Sequence, residues 1–256
     1  MTQDKVAVRT RDGECTTHVL TPPGTGPWSA IVFYADAGGI RPAVVAMAQQ
    51  LADAGFLVLL PDLFYRHGPY GPLVPSEVFA GDVQAILGPL MATTDTARAA
   101  EDTEALLAYL DTRGDVARGA AGREDRQASV GAVGFCMGGR MAITAAARFP
   151  DRFGAVASFH GGHLATDAPD SPHRLAPAMQ AEVYVAGAEG DDSYPPAMAE
   201  RLEAALTAAG VRHVVEFYPG AAHGWMVPDF PVYDPAAAER GWRAMLALFR
   251  RALTPP

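Results

Sequence analysis

Six short segments of this chain are apolar almost without a break: SAIVFYA (29–35), FLVLLPD (56–62), ASVGAVGF (128–135), FGAVASF (153–159), AEVYVAG (181–187) and HVVEFYPG (213–220). A strand with one face in water alternates polar and apolar residues, so continuous apolar runs of strand length need cover on both faces. The stretches between them supply that cover. AVVAMAQQLADAG (43–55) stops at Gly55 as a helix does, and DTARAAEDTEALLAYLDTRG (95–114) aligns Leu106, Leu107 and Leu110 on one stripe. CMGGRMAITAAARFP (136–150) sets Met137, Met141, Ala145 and Phe149 in helical register, and two further helices are expected in PPAMAERLEAALTAAG (195–210) and DPAAAERGWRAMLALFRRAL (234–253). TTHVLTPP (16–23) reads as an early strand closed by Pro22 and Pro23. The pattern predicts an α/β fold, a mostly parallel sheet with helices on both faces.

With 256 residues, 49% of them hydrophobic and 19% charged, the chain can bury a large core and is expected to form a single domain over 1–256. One part is irregular. Residues 64–94, through YRHGPYGPLVPSEVFAGDVQAILGPLMATT, are rich in Pro and Gly and predict a cap-like excursion over the C-terminal edge of the sheet. No apolar run reaches membrane-spanning length, and MTQDKVAVRTRDGE lacks the apolar centre of a signal peptide, so no membrane association and a cytoplasmic location are expected. A net charge of −9 leaves no basic stripe for phosphates and argues against nucleic acid as a partner. Two cysteines, Cys15 and Cys136, make no disulfide framework.

Cys136 stands between a strand and a helix, in Gly134-Phe135-Cys136-Met137-Gly138-Gly139. Such a turn is tight enough to demand glycine on both sides of the corner residue, which then projects from the C-terminal edge of the sheet where open α/β folds place ligands. The positive end of the following helix favours thiolate over thiol. Cys15 has no such setting and is expected to be structural.

A nucleophilic thiol needs a base, and the base an orienting acid. Of seven histidines, His223 in GAAHGW follows the last apolar strand, on the same edge. The loop AEGDDSYPP, between Cys136 and His223 in the chain, offers Glu189, Asp191 and Asp192 in the order nucleophile, acid, histidine. His160 and His163 in FHGGHLATD would need His223 and an acid to form a zinc site; the glycines between them give no shared helical face, so no metal and no cofactor are expected.

The GFCMGG elbow, the AEGDDSYPP loop, Ala222-His223-Gly224-Trp225 and LPDLFYR (60–66) together resemble the dienelactone hydrolase family of the α/β-hydrolase fold, over nearly the whole chain. The resemblance implies a Cys136–Asp191–His223 triad, Asp191 being preferred to Asp192 because a polar-aromatic stretch, Asp192-Ser193-Tyr194, follows it. It also implies an oxyanion hole from the Ala37 and Met137 N–H groups. Asp36 falls where the family places an acid that tunes the thiol. Two features depart from the family: Gly224 replaces a serine after the histidine, and residues 67–97 hold no Arg or Lys to meet a substrate carboxylate. The expected lining, Phe79, Ile86, Met91 and Trp225 with His160 nearby, suits a neutral ester or lactone of a small molecule, hydrolysed through a Cys acyl-enzyme. Four arginines, Arg41, Arg66, Arg98 and Arg140, flank the region and could reach inward. The alternative is a non-catalytic or redox-sensing protein in which Cys136 is an oxidisable thiol. The sequence leaves the oligomeric state open.

Overall fold

The computed structural model describes residues 2–117 and 130–253. Eight strands form one sheet: β1 (Thr2–Arg9), β2 (Glu14–Thr21), β3 (Ala30–Tyr34), β4 (Leu57–Pro61), β5 (Val130–Phe135), β6 (Phe153–Phe159), β7 (Glu182–Ala188) and β8 (His213–Tyr218). Their order is β1-β2-β4-β3-β5-β6-β7-β8. The β1–β2 and β2–β4 pairs are antiparallel and every other pair is parallel. Among the described residues seven α-helices accompany them: α1 (Pro42–Asp53), α2 (Pro75–Ala80), α3 (Val83–Met91), α4 (Thr96–Asp111), α5 (Met137–Arg148), α6 (Pro196–Ala208) and α7 (Pro235–Leu253).

Five of the six apolar runs are buried on both sides, as their composition demands; the sixth, β8, is the far edge strand, with only Tyr218 buried. In β3, Ala30, Val32 and Tyr34 join the core under α4, α5 and α6, while Ile31 and Phe33 face α1 and α7. This is the expected α/β fold, a mostly parallel sheet with helices on both faces. The run expected over 128–135 is strand from Val130, its first two positions lying outside the described residues. The excursion carries α2 and α3, each of which is short. A glycine or proline interrupts every turn or so there, and beyond Phe64 at its start only Val78 and Leu90 among its large apolar side chains are nearly inaccessible.

β1 was not expected as a strand. It pairs along its whole length with β2, from Thr2↔Thr21 to Arg9↔Glu14, but it is an edge strand with only Val8 buried. Its polar sequence, TQDKVAVR, is what an edge needs to stay out of further pairing.

Candidate active site

β5 ends at Phe135 and α5 begins at Met137, leaving one residue, Cys136, to make the corner. Its backbone sits at φ 51°, a left-handed conformation uncommon for a residue with a Cβ. The turn closes so far that a Cβ on Gly134 would overlap the Gly138 carbonyl, and one on Gly138 would overlap the Tyr34 carbonyl at the end of β3. The GxCxG spacing is therefore a consequence of α5 crossing directly over two strand ends. The Cys136 N–H donates to Phe159 O at 3.1 Å and to His160 Nδ1 at 3.2 Å. The side chain is left half-exposed at the N-terminus of α5.

His223 follows β8 and faces the same cavity as Cys136. Its Nδ1 lies 2.6 Å from Asp191 Oδ2. The Asp191 side chain is only 5% exposed, and its other oxygen accepts from Ser193 N–H at 2.9 Å and Ser193 Oγ–H at 2.6 Å. Burial would raise the Asp191 carboxyl, but the hydrogen bonds from His223 and Ser193 outweigh it and hold it at about 2. Burial would likewise lower His223; hydrogen bonding to Asp191 and Cys136, and the negative charge of both, push it up to about 10. The arrangement places an imidazole, held by a buried carboxylate, beside the Cys136 thiol. Asp192 is exposed. Ser193, which sequence reading passed over, clamps the acid through an Asx-type turn; the D-D-S order of the loop is the signal that could have found it.

A cavity of about 300 Å³ opens onto Cys136 and His223. Ala37 and Gly38 line one side, Leu73, Pro75, Val78, Phe79 and Leu87 come from the excursion, and Phe230 comes from the loop after His223. Phe79 and Phe230 meet edge to face at 5.2 Å. Among the described residues no Lys or Arg lines it. Arg66 is held by Asp12 and Asp102, Arg98 by Asp95, and Arg140 lies 3.9 Å from Asp170.

Several expected lining residues are elsewhere. Met91 sits 40% exposed at the end of α3, outside the cavity, because Gly88 and Pro89 leave Leu87 as the residue facing in. Ile86 is also absent from the wall; it packs towards Gly81. Trp225 is fully buried and stacks on Tyr218 at 4.3 Å: Gly224, at φ 98°, turns the chain so that the tryptophan passes under the sheet edge. Asp36 does not approach the thiol, since both of its oxygens accept from Arg41, at 2.9 and 3.0 Å, and one also takes the Gly38 N–H at 2.7 Å. His160 is likewise no wall residue. It is fully buried with its ring 5.4 Å from that of His223, and burial, then the charge of His223, hold it well below the usual histidine range. It packs as a neutral imidazole behind His223. Its neighbour His163 is exposed, its backbone N–H on Ser193 O at 2.8 Å. Cys15 is buried against Asp62 O at 3.5 Å, where burial pushes the thiol up to about 12.

The chain is similar over nearly its whole length to known proteins. The chain is 27% identical over 245 residues to a carboxymethylenebutenolidase of Rhodococcus opacus, covering 90% of this chain and 84% of that protein. A provisionally named carboxymethylenebutenolidase of Synechocystis is 25% identical over 97% of this chain and 96% of its own. A crystal structure from Klebsiella pneumoniae, provisionally named a dienelactone hydrolase, superposes with a TM-score of 0.81 at 23% identity, covering 98% of both chains. The model of the dienelactone hydrolase family matches residues 15–253, which takes in every element from β2 to the end of α7. The chain is a hydrolase and belongs to the dienelactone hydrolase family.

Proposed function

We propose that the protein hydrolyses a small, neutral carboxylic ester or lactone through a thioester on Cys136. The observation that carries this reading is the connected line from Cys136 through His223 to Asp191 at the floor of a cavity with otherwise apolar walls. The Cys136 thiolate attacks the carbonyl carbon. The oxyanion that forms is taken by the N–H groups of Met137, which opens α5 and has no intrahelical acceptor, and of Ala37 opposite it. Each such preset donor contributes about 3 kcal/mol to the transition state. The carbonyl re-forms, the C–O bond breaks, and imidazolium at His223 gives its proton to the departing alkoxide. Neutral His223 then takes a proton from water as the water attacks the thioester, and the acid leaves as Cys136 returns to thiolate. Asp191 holds the imidazole with Nε2 towards the sulfur throughout.

The walls select the substrate. A carboxylate buried without a cation costs several kcal/mol, while apolar lining returns about 25 cal/mol per Å² of apolar substrate surface. Carboxylate-bearing lactones of the kind the family name suggests are therefore poor candidates for this chain. A cytoplasmic enzyme is proposed, since two unpaired thiols suit a reducing compartment. The test compares kcat/KM for p-nitrophenyl acetate with that for an analogue carrying a free carboxylate on the acyl group. The neutral ester should win by at least tenfold, and Cys136→Ala should abolish both activities. A preference for the anion would refute the substrate reading, and turnover surviving in Cys136→Ala would refute the mechanism.

A further inference from the structure

Among the described residues Arg41 is the one buried Lys or Arg, 2% exposed, and the chemistry above does not use it. Its guanidinium makes five hydrogen bonds in two sets. Towards Asp36 they are Nη1 to Oδ1 at 2.9 Å and Nη2 to Oδ2 at 3.0 Å, with Nη1 also on Gly39 O at 3.1 Å. Towards Asp229 they are Nε to Oδ2 at 2.7 Å and Nη2 to Oδ1 at 3.0 Å. The two carboxylates are 193 positions apart in the chain, yet each stands immediately before a residue of the cavity wall: Asp36 before Ala37, Asp229 before Phe230. The Arg41 Cζ also lies 5.2 Å from the centre of the Phe230 ring. There is no slack at the junction, since a Cβ on Gly38 would fall 2.8 Å from Arg41 Nη1.

We propose that Arg41 is a positioning residue that sets the width of the cleft, bracing the Ala37 loop with one carboxylate and the Phe230 wall with the other. The proposal rests on the hydrolase reading above. A planar fork is the group suited to this work, because it meets two carboxylates in fixed directions where an ammonium would hold neither plane. The two arms act on different quantities. The Asp36 arm fixes the loop carrying the Ala37 N–H, which interacts with charge present only in the transition state, so it governs kcat. The Asp229 arm fixes Phe230, which touches whatever part of the substrate extends away from the sulfur, so it governs KM for substrates large enough to reach it.

The experiment measures kcat and KM on p-nitrophenyl acetate and p-nitrophenyl benzoate for the unaltered protein, Asp36→Asn, Asp229→Asn, Phe230→Ala and the Asp229→Asn/Phe230→Ala pair, each checked by thermal melting. Asp229 is partly exposed, so Asp229→Asn keeps the test alive if the Asp36 or Arg41 variants do not fold. Asp229→Asn should lower kcat/KM on the benzoate at least tenfold more than on the acetate, mainly through KM. Asp36→Asn should lower kcat on both esters by similar factors of ten or more, with KM within threefold. The pair should be no worse than Phe230→Ala alone, because the Asp229 arm acts through that ring. Equal losses on both esters in Asp229→Asn, or additive losses in the pair, overturn the proposal. No Cys136-dependent turnover in the unaltered protein overturns the hydrolase reading and the kinetic role of Arg41 with it. Normal turnover with unchanged selectivity in Asp229→Asn overturns the Arg41 role alone.

Discussion

Replacing Asp191 by Asn changes one oxygen to an NH2 group, and the surroundings dictate which one. Ser193 presents two donors, its N–H at 2.9 Å and its hydroxyl at 2.6 Å, to Oδ1. The amide must therefore turn its carbonyl oxygen to Ser193 and its NH2 to His223 Nδ1, which sits 2.6 Å from Oδ2 in the native protein. Nδ1 becomes an acceptor, and the imidazole proton moves to Nε2, the nitrogen facing Cys136. A neutral ring in that tautomer neither takes the thiol proton nor carries the positive charge that steadies the thiolate. His223 also loses two of the contributions that hold it at about 10, the Asp191 hydrogen bond and charge. The same substitution in a serine triad lowers turnover about 10⁴-fold by the same tautomer error. Here a loss of about 10³- to 10⁴-fold in kcat/KM is expected, equivalent to about 4 to 5.5 kcal/mol at about 1.4 kcal/mol per decade. The assay is release of p-nitrophenol from p-nitrophenyl acetate at pH 7.5, with Asp192→Asn as the control; Asp192 is exposed, and its variant should stay within threefold of the unaltered protein. An Asp191→Asn protein that melts normally and keeps more than a tenth of its activity would refute the reasoning, and so would a larger loss in Asp192→Asn.

The pH profile should be displaced upwards. His223 is raised from 6.5 to about 10, so its ring stays charged through neutral pH, and kcat/KM should fall on a basic limb with an apparent pKa near 10. The same shift makes a stability statement: a raised histidine contributes fully below about pH 6.5 and loses its contribution as pH climbs through 10, so melting temperature should drop over that interval more steeply than in His223→Ala. A basic limb near 7 would mean that His223 is not raised in the free enzyme. At the elbow, Gly138→Ala sets a methyl group against the Tyr34 carbonyl and 2.7 Å from the Ala35 carbonyl, neither of which yields without parting β3 from α5. It should cost about 3 kcal/mol or more in urea denaturation, whereas Gly131→Ala, which meets side chains rather than backbone (the ends of Ile31 at 2.6 Å and Leu253 at 2.7 Å, and the Phe249 ring edge at 3.1 Å), should cost roughly 1–2 kcal/mol. Equal tolerance at the two positions would show that the turn is not closed as described.

The parts legible in the sequence were those set by periodicity and by local steric demand. β6 spans the expected 153–159, and α7 lies within one residue of the expected helix, because their apolar patterns are long and consistent. The elbow was legible because the tight crossing leaves glycine as the only choice on either side of Cys136. The cavity wall was not. α2 and α3 run six and nine residues and carry Gly81, Gly88 and Pro89 at or inside their ends, too short and too broken to show which face turns inward. Leu73, Val78 and Leu87 were missed there, while the more exposed Met91 was chosen. Phe230 lines the cavity where Trp225 was expected for a different reason: a single positive-φ residue, Gly224, reverses the loop, and backbone handedness at one glycine has no hydropathic signature. Asp36 looked like a partner for the thiol because its true partner is a guanidinium shared with Asp229, on a loop 188 residues beyond Arg41. Local spacing carries no trace of such a contact.

The most direct test of the central claim, that Cys136 carries the acyl group, is rapid quenching in acid followed by peptide mass spectrometry after mixing the protein with p-nitrophenyl acetate. Acid protonates His223 and halts deacylation, so the thioester should be found on the peptide containing Cys136, at up to one acyl group per chain, and should vanish in Cys136→Ala. Acylation of another residue, or rapid p-nitrophenol release from Cys136→Ala at the unaltered rate, would contradict the claim.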